Sequence, residues 1–200
     1  MSQKKKTVFA VLVLICLCHV LPGAAESGRS DILSVLTEAK TNWSFTSEPV
    51  DEQDLHSILE AGVNTASAIN EQPWDIAVIT DRNLIARLAD TPGSAAAPVM
   101  ILVSVTSSNE MKILDAGLVT QTMQITARIL GYATKIETAP ARTIRNDSTG
   151  TWAEQLGIPA DKLARAALFI GHADDSADVL SSSSVRNDFD RVVHFVPEMK

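Results

Sequence analysis

Three short polar side chains, Ser67, Asn70 and Gln72, lie within six positions of the chain and are followed at once by Pro73 and Trp74. One hydroxyl and two amides can both donate and accept hydrogen bonds. They could therefore bind a ligand whose edge carries several donors and acceptors, while the proline stiffens the backbone before the apolar stretch that follows. A second interpretation is a turn whose Ser and Asn side chains bond only to the local backbone.

Helices and a few apolar strands surround these residues. Apolar side chains at helical spacing predict a helix that begins after Asp51 and a long helix over 113–131. Alternating residues predict a strand over 75–81, and the continuous apolar run 99–105 predicts a strand buried on both faces. Without a repeat or an internal boundary, the pattern indicates a single α+β or α/β layered domain.

The second half of the chain gives weaker patterns. Residues 133–150 carry no clear period and are predicted to be irregular. A helix is predicted over 159–166 because Pro159 stands at its first turn. Strands are predicted over 166–174 and, as the last element, over 189–196.

The first 25 residues have the composition of a secretory signal peptide. A basic start is followed by an apolar run from Val8 to Val20 and by small residues before Glu26. The apolar run is shorter than the ~20 residues that span a bilayer, which disfavours a stable membrane anchor. We therefore expect cleavage, a mature domain over 26–200, and export to the periplasm or the outside of the cell.

Charge and cysteine content exclude several classes of function. Cleavage would remove three lysines and no acid, so the formal net charge would change from −7 to −10. Both cysteines would leave with the signal peptide, which removes disulfides, thiol nucleophiles and cysteine-based metal sites. The three remaining histidines are far apart in sequence, so no metal site is predicted. An acidic domain is also a poor partner for nucleic acid.

The run ASAINEQPW, Ala66 to Trp74, resembles the P-S-x-x-N-x-Q-P-W signature of the nitroreductase family of flavin enzymes, with alanine in place of the first proline. Four more stretches resemble family motifs in the same order along the chain. They are FTSEPVDEQDLHSILEAG, AAPVMILV, DAGLVTQTMQITARILGY and LGIPADKLARAALFIGHAD. The resemblance covers residues 32–193, nearly the whole mature chain.

The resemblance implies a nitroreductase-like α+β fold, in which helices flank a small mixed or antiparallel sheet and two chains form an intertwined homodimer with FMN between them. It implies that Ser67 and Asn70 face the FMN and that Gln72 lies nearby. The chemistry would take place on the flavin, so no catalytic protein residue is predicted. NAD(P)H is a candidate electron donor, and the acceptor would be a small molecule such as a nitroaromatic or a quinone.

The phosphate end departs from the family pattern. The family motif R-x-S-x-R/K aligns with Ala39, Thr41 and Trp43, so a hydroxyl remains and both cations are lost. Lys40 lies one position away, and Arg186 matches the second residue of a K-x-R pair near the family's C-terminus. The phosphate partners implied for this chain are Lys40, Thr41 and Arg186, fewer charged groups than a phosphate dianion prefers.

Two functions of different classes follow from this sequence. The first is an FMN-dependent oxidoreductase of the nitroreductase type. The second is an exported relative that keeps the fold and binds a ligand or a partner without turnover. The thinned phosphate motif and the scarcity of nicotinamide cofactors outside the cytoplasm favour the second, and the matching signature residues favour the first.

Overall fold

The computed structural model describes residues 32–37, 41–106, 109–176 and 186–196. The chain separates into two units, Met1–Thr37 and Glu38–Lys200. In the first unit, residues 32–37 are helical. The expected signal peptide, residues 1–25, lies outside the described residues and stays a prediction. None of the described helices is both long enough and apolar enough to cross a membrane.

The described residues of the second unit form helices and four strands. In chain order its elements are α1 (Glu52–Val63), a 3-10 turn (Ala68–Asn70), β1 (Trp74–Ile79), α2 (Arg82–Leu88), α3 (Pro92–Ala95), β2 (Val99–Thr106), α4 (Glu110–Ile129), β3 (Ala133–Glu137), α5 (Ala139–Arg145), α6 (Thr151–Gln155), β4 (Lys162–Gly171) and α7 (Phe189–Val192). This is the expected α+β composition.

The four strands form one antiparallel sheet in the order β1-β2-β4-β3. Strand β2 is central: its Met100 pairs with Ile79 of β1 on one side and with Phe169 of β4 on the other. Phe169 in turn pairs with Lys135 of β3. The expected small antiparallel sheet is therefore confirmed.

Each face of the sheet carries its own apolar core. Alternate residues of β2 point to opposite faces, as the pleat of a strand requires. Val99, Ile101 and Val103 pack with α1 and α4, whereas Met100 and Leu102 pack with α2 and α5. The predicted burial of this strand on both faces is confirmed, here in an antiparallel sheet between two helical layers.

Helices α1 and α4 pack closely because α1 carries Gly62 at the contact. A Cβ atom at this position would lie 2.6 Å from Cγ of Met123 on α4. Met123 itself is fully buried. The N-terminus of α1 is capped by Asp51, whose Oδ1 accepts hydrogen bonds from the backbone N–H groups of Gln53 and Asp54.

Tyr132 ties the start of α1 to the sheet. Its hydroxyl donates to Oδ2 of Asp54 at 2.7 Å and accepts from the backbone N–H of Asp51 at 3.2 Å. Burial raises the pKa of Tyr132, and the hydrogen bond to Asp54 raises it further. The phenol therefore stays protonated at neutral pH and serves as a structural clasp.

Three predicted elements are wrong. The segment predicted to be irregular contains β3 and α5. Strand β3 was missed because two of its buried side chains, Lys135 and Glu137, are charged, so its sequence shows no apolar alternation. Residues predicted as a helix from 159 enter β4 at Lys162, where pairing with β2 overrides the helical preference of an alanine-rich run. The expected final strand begins instead as α7.

Candidate functional site

Residues 67–72, called here the signature turn, connect α1 to β1. Ser67 is extended and precedes the 3-10 turn, and Pro73 is buried immediately after it. Ser67 is half-buried, whereas Asn70 and Gln72 are exposed. The structure thus brings the three predicted side chains together at one end of β1, with both amides open to solvent.

The backbone of the signature turn is strained. Ile69, Asn70 and Gln72 have φ angles of 51°, 59° and 48°, in the left-handed region that non-glycine residues rarely occupy. Such a conformation costs a residue like Ile69 about 1–2 kcal/mol, whereas asparagine tolerates it better. Ile69 is 89% exposed, so burial of its side chain does not offset that cost. Strain of this kind concentrates at functional sites, where the surrounding structure maintains it.

Hydrogen bonds within the signature turn connect its polar groups. Oγ of Ser67 accepts from the backbone N–H of Gln72 at 2.9 Å, and Nε2 of Gln72 donates to Oδ1 of Asn70 at 3.1 Å. The backbone N–H of Asn70 donates to the Ser67 carbonyl at 3.1 Å. These contacts agree with the turn interpretation. They also fix the two exposed amides side by side, which is what a hydrogen-bonding surface for a ligand requires.

Side chains from α4 and β4 hold the signature turn from outside. Oδ1 of Asp115 accepts from the backbone N–H of Ala68 at 3.2 Å, and Nζ of Lys112 lies 2.7 Å from Oε1 of Glu71. At the other end, Nζ of Lys162 donates to the carbonyl oxygens of Pro73 and Trp74, both at 3.1 Å. The sequence motif did not identify these supporting residues, which come from distant parts of the chain.

Among the described residues, no hydrogen bond or ion pair connects the side chains expected at a phosphate. Thr41 is half-buried and Trp43 is exposed, while Lys40 lies outside the described residues. Arg186 is exposed, and within the described ranges it has no ion-pair partner and no hydrogen bond to Thr41. Their assignment to a phosphate stays a prediction.

A buried cation lies next to Trp43. Nζ of Lys135 is 2.6 Å from Oε1 of Glu137, 3.0 Å from Oγ of Ser94 and 3.2 Å from Oγ1 of Thr91. The ammonium also lies 4.4 Å from the centre of the Trp43 ring. An ammonium has three donors, and all three are used here. This group, the buried lysine cluster, therefore has no donor left for a phosphate.

Part of the sequence is similar to that of known proteins. A family model described as the nitroreductase family matches residues 40–97. A protein from Archaeoglobus fulgidus that carries the name NADH dehydrogenase/NAD(P)H nitroreductase is 25% identical over 144 residues, which are 67% of this chain and 80% of the relative.

Solved structures share the architecture. A nitroreductase with bound FMN from Desulfitobacterium hafniense superposes with a TM-score of 0.71 at 19% identity, covering 83% of this chain and 98% of that one. A nitroreductase in complex with FMN from Desulfovibrio desulfuricans has a TM-score of 0.67 at 25% identity, covering 84% and 98%. The chain has the nitroreductase fold, and its residues 40–97 match the nitroreductase family model.

Proposed function

We propose that this chain is an FMN-dependent oxidoreductase that acts on a small-molecule electron acceptor. The signature turn carries the proposal, because its strained backbone holds Asn70 and Gln72 as adjacent exposed amides at the residues that match the family signature. Solved proteins of the same fold, from D. hafniense and D. desulfuricans, contain FMN.

The side chains of the signature turn offer the kinds of donor and acceptor that would meet the ring end of a flavin. A flavin's polar edge presents several donors and acceptors, and the amides of Asn70 and Gln72 can each supply one of either kind. Ser67 would contribute through its hydroxyl and by fixing the backbone of Gln72. When bound, FMN would supply hydride and electron transfer to an acceptor such as a nitroaromatic or a quinone, with NAD(P)H as a candidate donor.

The phosphate end would depend on Lys40, Thr41 and Arg186. A neutral indole, Trp43, stands where the family has a cation, and the neighbouring Lys135 is saturated by its own partners. Each missing hydrogen bond to a charged group removes about 1.5–3 kcal/mol of binding. We therefore expect FMN affinity well below that of a relative with both cations.

Absorbance and fluorescence of the purified mature protein test the proposal. We expect FMN fluorescence to be quenched as protein is added, and the flavin band to bleach when NAD(P)H is supplied. FMN fluorescence that does not change as protein is added would contradict the oxidoreductase and support the second function, an exported relative that binds without turnover. The neutral Trp43 and the saturated Lys135 are the observations that favour this alternative.

Export is proposed from the N-terminal sequence. Residues 1–25 have the charge and apolar pattern of a signal peptide, and the small residues before Glu26 form the cleavage site. We expect intact-mass measurement of the protein from the periplasm or medium to give a chain that begins near Glu26. A full-length chain retained in the cytoplasm would contradict the proposal.

The homodimer is proposed on an exposed stripe of α4. Met111, Leu114 and Leu118 lie on neighbouring turns of one helix face, and Leu114 is 62% exposed. Met123, by contrast, lies in the core of its own subunit, so a charge there would unfold the chain instead of separating two chains.

A charge on this stripe should separate the subunits. Leu114→Glu would place a carboxylate in the contact between two chains, so we expect monomers in sedimentation velocity at micromolar concentration and an unchanged circular dichroism spectrum. Asn83→Glu on α2, which packs on the other face of the sheet, is the control and should leave the dimer intact. A wild type that already sediments as a monomer would contradict the dimer.

A further inference from the structure

Asp115 is a buried acid that the signature motif does not include. It lies on α4 and is 2% exposed. Its Oδ1 accepts a hydrogen bond from the backbone N–H of Ala68 at 3.2 Å, while Oδ2 is buried and has no hydrogen-bond partner in the described part of the chain. A half-satisfied buried carboxylate destabilises a fold. Its presence against the signature turn calls for a role other than stability.

The hydrogen bond to Asp115 comes from the residue directly before the left-handed backbone of the signature turn. Ala68 is the first residue of the 3-10 turn, and the two residues after it, Ile69 and Asn70, are both left-handed. The hydrogen bonds within the turn join its own residues to one another and cannot fix it to the rest of the protein. Asp115 does this, because it belongs to a helix whose inner side chains pack in the apolar core on one face of the sheet.

The accepting oxygen belongs to a buried side chain, so water competes little for this hydrogen bond. The neighbouring contact from α4 is weaker, since Glu71 in its ion pair with Lys112 is 42% exposed and water screens such pairs. Lys162 acts at the opposite end, on the carbonyl oxygens of Pro73 and Trp74. Of the two contacts from α4, the Asp115 bond is therefore the one able to set the conformation of the left-handed residues.

We propose that Asp115 is a positioning residue for flavin binding: it holds the Ala68 N–H and thereby keeps the amides of Asn70 and Gln72 in the geometry that meets the flavin. This inference rests on the proposed function. Asp115 acts through the backbone of the turn and is not assigned a contact with the flavin.

Two substitutions separate the hydrogen bond from the charge. Asp115→Ala removes the acceptor, whereas Asp115→Asn keeps an oxygen that can accept from Ala68 and removes only the charge. Thr120→Ala is the matched control. Thr120 is a buried polar residue of the same helix, and its hydroxyl bonds to the carbonyl of Ala116 within α4.

Two measurements are made on each variant: amide hydrogen exchange of residues 68–72 without flavin, and FMN affinity by fluorescence quenching. Asp115→Ala should speed exchange and weaken FMN binding by about tenfold, the effect of losing one buried hydrogen bond. Asp115→Asn should recover most of both. Thr120→Ala should lower the melting temperature without changing exchange in the turn or affinity.

Wild-type exchange and affinity in Asp115→Ala would overturn the inference. Equal losses in the Ala and Asn variants would also overturn it, because a hydrogen bond to Ala68 would then not be the cause. If the wild type binds no FMN, the proposed function fails with the flavin part of the inference, while the exchange measurement still decides whether Asp115 holds the turn.

Discussion

Glu137→Gln should lower the free energy of unfolding by about 3–5 kcal/mol, because it removes one member of a buried ion pair and leaves the other charge without compensation. The side chains of Lys135 and Glu137 are only 6% and 8% exposed, and their charged atoms lie 2.6 Å apart. Ser94 also donates to the same Glu137 oxygen at 2.5 Å, so the substitution disturbs a second buried bond. Equilibrium unfolding in urea, followed by circular dichroism, gives the value.

Two further variants test this explanation: a double variant that removes both buried charges, and a control that breaks an exposed ion pair. Lys135→Met combined with Glu137→Gln removes both buried charges, and we expect it to recover most of the lost stability. Glu71→Gln breaks the exposed pair with Lys112 and should cost at most about 1 kcal/mol. Equal costs for Glu71→Gln and Glu137→Gln would contradict the structural account of the buried lysine cluster.

The buried lysine cluster also explains why one strand of the sheet was not predicted from the sequence. Strand β2 was predicted because both of its faces are apolar and the signal is continuous. Strand β3 was missed because it buries Lys135 and Glu137 as a pair, and pairing depends on Ser94 and Thr91, which are more than 40 residues away. No pattern within a short window reveals that a charged residue is neutralised by a distant one.

In the candidate site, too, the sequence predicted what lies close together along the chain and missed the contacts between distant residues. Ser67, Asn70 and Gln72 were predicted to lie together because they are neighbours in sequence, and the structure confirms that arrangement. The left-handed backbone and its supports were not predicted. Asp115 is 47 residues from Ala68, and Lys162 is 89 residues from Pro73, so only the folded helix and sheet bring them to the turn.

Asn70→Gly should weaken FMN binding without loss of stability. Asn70 has a φ of 59°, a conformation that glycine adopts freely, so the substitution deletes the amide and relaxes the backbone. If the amide meets the flavin, the loss leaves a polar atom of the ligand unpaired and costs about 1–3 kcal/mol, a five- to hundredfold rise in the dissociation constant. Fluorescence quenching gives the affinity, and thermal unfolding without flavin gives the stability.

Ile69→Gly is the matched control for Asn70→Gly. Ile69 has a φ of 51° beside Asn70, and its exposed side chain makes no hydrogen bonds. Its substitution relaxes the same turn and keeps both amides, so we expect wild-type FMN affinity. Asn70→Ala adds the strain of a left-handed alanine, about 1–2 kcal/mol, and should lose both affinity and stability. Wild-type affinity in Asn70→Gly would show that Asn70 only completes a turn, because the deleted amide would then have no partner in the ligand.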